Sequence, residues 1–578
     1  MQVSVSGPVT EARRAWDCVV ETGLMLRLAG APPVRLRWVE DADGEVVPSG
    51  VMLGPAGLRH QFEDRSIAWV RGRFLRFDRQ VDGPLLREIH YEARLDETGA
   101  GVRPEPSLRV VPRMSGLGML VRLYTRGVRR GWEWELERLA PDVSASRRHR
   151  RPLDMTAAAA LSRWTDRGGR PALRARVETW MRQAPARALH DLRPMALARG
   201  WGEAGDASLD AILDDLVEAV AAGVLELRWV VKCPRCRAEV LRTDSLSGLT
   251  EEVKCPACAA VRPVDLVRTV EVVLSAPGWM GGQEPTCPAV AAWWNDVEAA
   301  ALLAPGETVE LPLSLEPGVY RLVAGAGAES LDGRLVVTKG GPDAARWSPG
   351  DGEVALGQGV LVLENTGGRR HFVRVVRPTP AIPVLSAFAM LTRPHFQRRL
   401  GGQAPAPDVV LEVGDATVLF TDFTDSTAYF DRMGDRVAVQ RVRRRLDAVA
   451  ACIQACGGAR VKTLGDGLMA LFASPVGAVR AALELLGSPV CGHPGEPQLR
   501  VGISRGAILT EHTDAAGLDC LGATVARGAL AVYQAPARSV RWTDRVHDDL
   551  GVQRLLRQVP TVVRSSEDGF FEVRLEEG

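Results

Sequence analysis

The stretch Thr417-Val-Leu-Phe-Thr-Asp422-Phe-Thr424 decides the fold of the C-terminal region. It is answered further along by Val461-Lys462-Thr-Leu-Gly-Asp466-Gly-Leu-Met-Ala-Leu-Phe472. Each stretch sets one carboxylate at the end of an apolar strand pattern. Asp422 closes the run Val418-Leu419-Phe420. Gly465-Asp466-Gly467 is a hairpin signal between predicted strands Ala459–Thr463 and Leu468–Phe472. A helix predicted from Asp435 to Ala455 separates the two strand ends. Strand, helix and hairpin in that order bring both carboxylates to one edge of a sheet. Two carboxylates there, with few other ligands, suit Mg²⁺ or Mn²⁺ held against a nucleoside triphosphate.

The order continues in Leu499-Arg-Val-Gly-Ile-Ser-Arg-Gly506 and Gly517-Leu-Asp519-Cys-Leu-Gly522-Ala-Thr-Val525. With these segments in place, residues 409–578 resemble the class III adenylate/guanylate cyclase catalytic domain. The resemblance implies a ferredoxin-like βαββαβ fold and conversion of ATP to cyclic AMP and pyrophosphate at a dimer interface. It implies a two-metal Mg²⁺ or Mn²⁺ site on the catalytic carboxylates Asp422 and Asp466, with the backbone carbonyl of Phe423 as a further ligand. Lys462 and Asp519 match the base-selecting pair, which implies ATP over GTP. Thr424 and Thr427 complete the candidate substrate-binding set.

The match then breaks. Where such domains continue Gly-x-x-Val-Asn-x-Ala-x-Arg, this chain has Gly522-Ala-Thr-Val-Ala526-Arg527-Gly-Ala-Leu530. The ribose-orienting Asn is Ala526 and the transition-state Arg is Leu530. Neither side chain donates a hydrogen bond, and losing one such donor costs on the order of 10²–10³ in rate. Arg527 lies one turn before the vacant Arg position, about 60° round the helix, and is the substitute donor to consider. Asp425 stands where Gly is common, and the turn Ser565–Gly569 lacks the Lys often found there. Three readings follow: an adenylate cyclase of low activity working as a homodimer, a degenerate pseudo-cyclase that binds nucleotide, metal or partner proteins, and a heterodimer subunit completed by another cyclase-domain chain.

The remaining sequence suggests further units. The chain has 578 residues, 46% hydrophobic and 25% charged, with net charge +1, which gives no case for nucleic acid or a membrane surface. No apolar run is long enough to span a membrane, and no signal region opens the chain, so a cytoplasmic protein is expected. Lysine is confined to Lys232, Lys254, Lys339 and Lys462, an Arg bias that suggests a GC-rich bacterial genome.

Residues 1–145 read as helix (Pro8–Leu28), strands such as Ile67–Phe77 and Leu86–Leu95, and a last helix capped by Ser115 with Leu117, Leu120, Val121, Tyr124, Val128, Trp132 and Leu136 on one face. This order resembles the helix-grip (START-like, SRPBCC) fold, which implies room for an apolar small molecule between sheet and helix. Residues 155–230 read as helical and winged-helix-like, but the acidic helix bearing Asp210, Asp214, Asp215 and Glu218 would repel a phosphate backbone.

In 231–262, Cys233-Pro-Arg-Cys236 and Cys255-Pro-Ala-Cys258, eighteen residues apart, fit a structural Zn²⁺ ribbon stapling neighbouring domains. Cys287 reads as a core thiol. Cys452 and Cys456, one helical turn apart with no second pair nearby, read as packing. Residues 263–377 alternate like a β-sandwich, with strands at Thr269–Leu274, Thr308–Leu315, Val319–Ala324, Leu335–Thr338, Val360–Glu364 and Phe372–Val376. Residues 378–408 read as a linker helix, capped by Thr392, followed by a Pro/Ala hinge over Gln403–Asp408. The block 155–377 resembles a module found ahead of bacterial cyclase domains.

Overall fold

The computed structural model describes the chain apart from residues 1, 8–9, 11, 21–34, 41–45, 54–57, 138–152, 154, 184–188, 203–207, 278–295, 326–330, 378, 380–382, 493–494, 514–516, 560–561, 567 and 575–578. Cys287 and most of the second half of the expected helix Pro8–Leu28 lie outside the described residues; the described helix there is Ala12–Val19. Among the described residues no helix is long and apolar enough to cross a membrane.

The strand Leu411–Phe423 is central to an eight-stranded sheet. On one side it pairs antiparallel with Gly467–Phe472, which pairs with Gly458–Leu464. On the other it pairs with the long strand Leu499–Thr513. Ser539–Thr543, Phe570–Arg574 and Val563–Ser565 extend the sheet, and Gly517–Leu521 pairs with the far end of Leu499–Thr513. Side chains alternate across the strand with period two. Leu419 and Phe423 pack with Val442, Leu446 and Val449 of the helix Asp435–Ala455 and with the helix Pro475–Leu486. Val418 and Phe420 face the opposite way, into a core shared with the middle of the chain.

That shared core joins the two parts covalently distant in sequence. It contains Trp229, Leu246, Leu266, Phe388 and Phe396 beside Leu411, Val413 and Met469. Backbone bonds cross the same boundary: Leu266 N–H donates to Glu412 O (2.8 Å) and Gly414 N–H to Asp265 Oδ1 (3.2 Å). A Cβ on Gly414 would lie 2.4 Å from Asp265 Oδ2, so only glycine allows that approach. The segment expected as a hinge is held here too, since Gln403 Oε1 accepts from Trp229 Nε1 (3.3 Å) and Leu246 N (3.1 Å).

The N-terminal strands form a sheet closed over by the helix Gly118–Glu137, which buries Val121, Val128, Trp132 and Leu136. Leu120 is 37% exposed, and Ser115 lies in a short 3-10 turn with no capping side chain bond, so the expected cap is not made. The expected strand Ile67–Phe77 is two strands, Arg59–Val70 and Phe74–Asp82, folded about a turn at Arg71–Arg73. The interior of this region holds an ion pair, Arg79 Nε to Asp64 Oδ1 at 2.8 Å, with the guanidinium 3.7 Å from the Phe62 ring centre.

Val297–Leu303 is a strand that the sequence reading missed. It pairs with Arg59–Val70 on one side and His371–Val376 on the other, fusing the N-terminal and sandwich strands into one twelve-stranded sheet. Its sequence, Val-Glu-Ala-Ala-Ala-Leu-Leu, favours helix intrinsically, and burial of every residue overrides that preference. Ala344–Trp347 and Glu353–Leu356 were also missed. Val270–Ser275 pairs with Glu226–Lys232 in a separate three-stranded sheet, not with the sandwich.

The acidic helix, Leu209–Ala221, is a docking face. Arg393 donates to Asp210 Oδ1 (2.9 Å) and Asp214 Oδ1 (2.8 Å). Buried Glu218 accepts from His395 Nε2 (2.8 Å) and Arg399 Nε (2.5 Å) of the helix Pro394–Leu400. Thr392 does not cap this helix, whose N-cap is Arg393 with no side-chain bond; it ends the preceding helix Ala387–Leu391, which Ser386 caps. Hydrogen bonds to a charged partner are worth about 1.5–3 kcal/mol each. Glu218→Ala should therefore raise amide hydrogen exchange across 386–400 at least about tenfold. Unchanged exchange would show that this clasp does not hold the linker.

Candidate functional site

Asp422 ends the central strand and Asp466 sits in the adjoining hairpin turn. Leu468 lies opposite Thr421 and Gly467 opposite Leu464, so the turn meets the strand one residue before Asp422. A Cβ on Gly467 would lie 2.4 Å from Thr421 O, which is why the turn can close only with glycine there. Gly465 has φ +64°, the left-handed region that glycine enters at no cost. Both carboxylates thus reach the same end of the sheet, as the sequence order predicted.

Their surroundings differ. Asp422 Oδ2 accepts two bonds from Arg500, Nη2 at 2.5 Å and Nε at 2.9 Å. Arg500 lies directly opposite Asp422 in the strand register. Its Nη1 donates to Tyr533 O (2.8 Å), which fixes the guanidinium on the helix Ala523–Gln534 as well. Nothing in the local sequence of Leu499–Gly506 marks Arg500; the register that pairs it with Asp422 is the signal that identifies it. Asp466 Oδ2 is buried and has no hydrogen-bond partner. An orphaned buried carboxylate oxygen is costly, and a divalent cation would satisfy it. Both Arg500 bonds fall on Oδ2 of Asp422, so Oδ1 is not taken by that arginine. The two carboxylates therefore fit Mg²⁺ or Mn²⁺ by donor type and by this unsatisfied oxygen.

Lys462 and Asp519 meet. Lys462 Nζ lies 2.7 Å from Asp519 Oδ2, with both side chains partly buried. Lys462 follows a register shift at Arg460/Lys462, a bulge of the kind that re-aims a side chain. Asp519 Oδ1 accepts from Cys520 N (2.7 Å), which orients the carboxylate. Phe423 is buried, its ring 4.1 Å from the Arg445 guanidinium. Thr424 is committed locally, its N–H and hydroxyl both donating to Gln498 O. Thr427 is exposed in the first turn of the helix Ser426–Met433. Asp425 takes the left-handed conformation, φ +55°, which explains why a Gly would suit the position and why Asp, among the better tolerated there, can replace it.

On the helix Ala523–Gln534, Ala526, Arg527 and Leu530 are all exposed, Leu530 at 45%. Arg527 makes no hydrogen bond or ion pair among the described residues, and the structure does not bring it to the carboxylates by any contact.

A second metal-ligand set is separate from these. Cys233, Cys236, Cys255 and Cys258 are all buried and their sulfurs converge. Cys233 Sγ lies 3.7 Å from Cys258 Sγ, and Cys236 Sγ 3.6 Å from Cys255 Sγ. Four Zn–S bonds of about 2.3 Å at tetrahedral angles put sulfurs about 3.8 Å apart, so the set fits Zn²⁺. The two knuckles are built alike. Cys233 N–H donates to Ala238 O and Arg237 N–H to Cys233 O; Cys255 N–H donates to Ala260 O and Ala259 N–H to Cys255 O. Arg237 and Ala259 both hold positive φ, +59° and +52°, at equivalent places. Hydrogen bonds from Cys236 and Cys255 hold the Cys233 thiol down at about 7. Buried Arg374 sits against the cluster, donating to Ala257 O (3.0 Å), with Nε and Nη2 unpartnered. The four sulfurs share one apolar core with Trp16, Trp132 and Phe372.

Among solved structures, 29% of this chain is similar to the adenylyl cyclase CyaB from P. aeruginosa, covering 97% of that chain at 15% identity and TM-score 0.25. The same share is similar to the guanylate cyclase domain of RhGC from Catenaria anguillulae in complex with GTP, covering 99% of that chain at 16% identity and TM-score 0.24. Adenylate cyclases from Trypanosoma brucei in their monomeric state match 28% of this chain and 89% of theirs, at 19% identity and TM-score 0.24. Compared with protein-family models and with curated proteins, the chain matches none.

Asp466→Asn keeps the side-chain shape and removes its charge. Mn²⁺ binding in the presence of ATP, followed by the electron paramagnetic signal of free Mn²⁺, should weaken at least about tenfold. Equal binding by the variant would remove Asp466 from the ligand set.

Proposed function

We propose that residues 409–578 bind a purine nucleoside triphosphate with Mg²⁺ or Mn²⁺ and act as a nucleotidyl cyclase-type output domain of low turnover, making cyclic AMP from ATP. The observation that carries this reading is the strand register that puts Asp422 and Asp466 at one end of the sheet, with Asp466 Oδ2 buried and unpartnered. The Lys462–Asp519 pair supports a purine site, because an ammonium and a carboxylate can address the acceptor and donor on adenine's edge.

In this reaction the ribose 3′-oxygen attacks the α-phosphorus, the bond to the β-phosphate oxygen breaks, and pyrophosphate leaves. Divalent cations held by Asp422, Asp466 and the Phe423 carbonyl would lower the charge on the triphosphate and the pKa of the 3′-hydroxyl. The chain's own contribution is placement. Arg500 fixes Asp422 and adds positive charge beside the phosphates. Lys462 and Asp519 orient the base. Ala526 and Leu530 contribute nothing to the developing charge.

That deficit favours a second reading, in which the domain binds nucleotide without turning it over or pairs with a chain that supplies the absent Asn and Arg. In both readings the domain works as a homodimer or heterodimer, and the upstream regions act as its regulators: a helix-grip region (1–145), a helical region (155–230), a zinc-stapled ribbon (231–262), a sandwich (263–377) and a linker (378–408).

Cyclic AMP and cyclic GMP formation by the full chain with Mn²⁺ and ATP or GTP, beside Asp422→Ala, separates the readings. Cyclic AMP that vanishes in the variant is expected. In Ala526→Asn/Leu530→Arg, turnover should rise by on the order of 10²–10³. Product that survives Asp422→Ala would overturn the metal assignment; no product with nucleotide still bound would establish the second reading.

A further inference from the structure

Cys452 and Cys456 lie on the last turns of the helix Asp435–Ala455, with Cys456 as its C-terminal cap. The sequence offers them no third ligand. The fold supplies one: Glu484, from the helix Pro475–Leu486, which packs alongside. The two sulfurs and the Glu484 oxygen all lie within 4.8 Å of one another. Glu484 Oε2 is 3.8 Å from Cys452 Sγ and 3.4 Å from Cys456 Sγ. Among the described residues Cys452 Sγ also lies 3.8 Å from Ala481 O, and the two thiols are within hydrogen-bonding reach of each other.

We infer that Cys452, Cys456 and Glu484 form a second thiophilic metal site, which takes Zn²⁺ with solvent or an outside ligand in the fourth position. Zn–S and Zn–O bonds of about 2.3 and 2.0 Å at tetrahedral angles place sulfur and oxygen about 3.5 Å apart, and the two observed separations bracket that value. The same measure fits the four-cysteine cluster of the ribbon. Glu484 also passes over a partner of opposite charge. Arg480 precedes it at i, i+4, the spacing at which helix ion pairs form, yet no salt bridge joins them among the described residues, and the carboxylate meets the two thiols instead.

Both cysteines are half-buried and Glu484 is exposed, so the site has apolar support behind it and an open side for entry. Three protein ligands and an open position distinguish it from the closed ribbon, where all four ligands are buried cysteines. Cys456 also lines an open cleft of about 740 Å³ between this part of the chain and the helices Leu209–Ala221 and Pro394–Leu400. The helix that carries both thiols runs directly into the strand Gly458–Leu464, which carries Lys462. An ion there would pin two helices at the junction of the linker and the nucleotide-site sheet.

The test uses the full chain, loaded with Zn²⁺ and passed over a weak chelating resin, with metal counted by mass spectrometry. Cys452→Ser/Cys456→Ser should carry one Zn²⁺ per chain fewer than the unsubstituted protein, while its melting in chelated buffer stays the same. Glu484→Gln, an exposed change that leaves both thiols in place, should weaken that Zn²⁺ about tenfold. With Cd²⁺ in place of Zn²⁺, the thiolate charge-transfer band should lose the share of two sulfurs in six. Equal metal content in the unsubstituted protein and the double variant would overturn the site, as would Glu484→Gln binding with undiminished affinity.

Discussion

The register of one strand, Leu411–Phe423, sets the position of the carboxylate pair and its partners. It is buried on both faces, so a slip of one residue would exchange Val418 and Phe420 with Leu419 and turn Asp422 to the wrong side. Its pairing with Gly467–Phe472 sets the Asp466 turn beside Thr421, and its pairing with Leu499–Thr513 sets Arg500 opposite Asp422. Its other end is tied by Glu412 and Gly414 to Leu266 and Asp265. The strand that carries the carboxylate is therefore also the element by which the middle of the chain grips the C-terminal sheet.

Charge extends that grip. Glu218 lies almost wholly out of water and is tolerable only because His395 and Arg399 meet it. Removing either helix of that clasp would leave buried charge unpaired, so the linker helix and the acidic helix stand or fall together. The four-cysteine cluster shows the same logic. Four thiols crowd beside Arg374, whose Nε and Nη2 have no partner, in a core that also holds the N-terminal tryptophans. The strand Val297–Leu303 then joins those N-terminal strands to His371–Val376 through continuous backbone hydrogen bonding. From the N-terminal sheet, hydrogen bonds and packed side chains run unbroken to the four-cysteine cluster and to the strand His371–Val376.

Local signals in the sequence were legible where the physics is local. The apolar run before Asp422 and Gly-Asp-Gly around Asp466 specify strand and hairpin without help from the rest of the chain. Paired Cys-x-x-Cys knuckles do the same for the ribbon sulfurs. What escaped is set by partners far away in sequence. Val297–Leu303 has helix-favouring residues and is a strand because two strands flank it. Arg500 gains its meaning from the residue across the ladder. Glu484 completes a cysteine pair from another helix, and the acidic helix is a docking surface because Arg393, His395 and Arg399 come to it. The Lys462–Asp519 contact was reached by resemblance, since nothing in the spacing of two residues on separate strands requires that they touch.

The electrostatics of the sheet end explain why cations belong to any nucleotide-binding role. Asp422, Asp466 and Asp425 bring three carboxylates to the strand end and its following turn, and Arg500, already bonded to Asp422, is the guanidinium set against them there. A triphosphate adds several more negative charges to a place where solvent screening is reduced. Lys462 does not redress this, because its ammonium is spent on Asp519. The positive charge must come from outside the chain as bound cations, or, on the exposed helix face where Ala526 and Leu530 stand, from a second chain. In the proposed role, the same residues that would attract metal therefore leave the site short of positive charge, and Leu530, exposed on its helix, carries no donor to supply it.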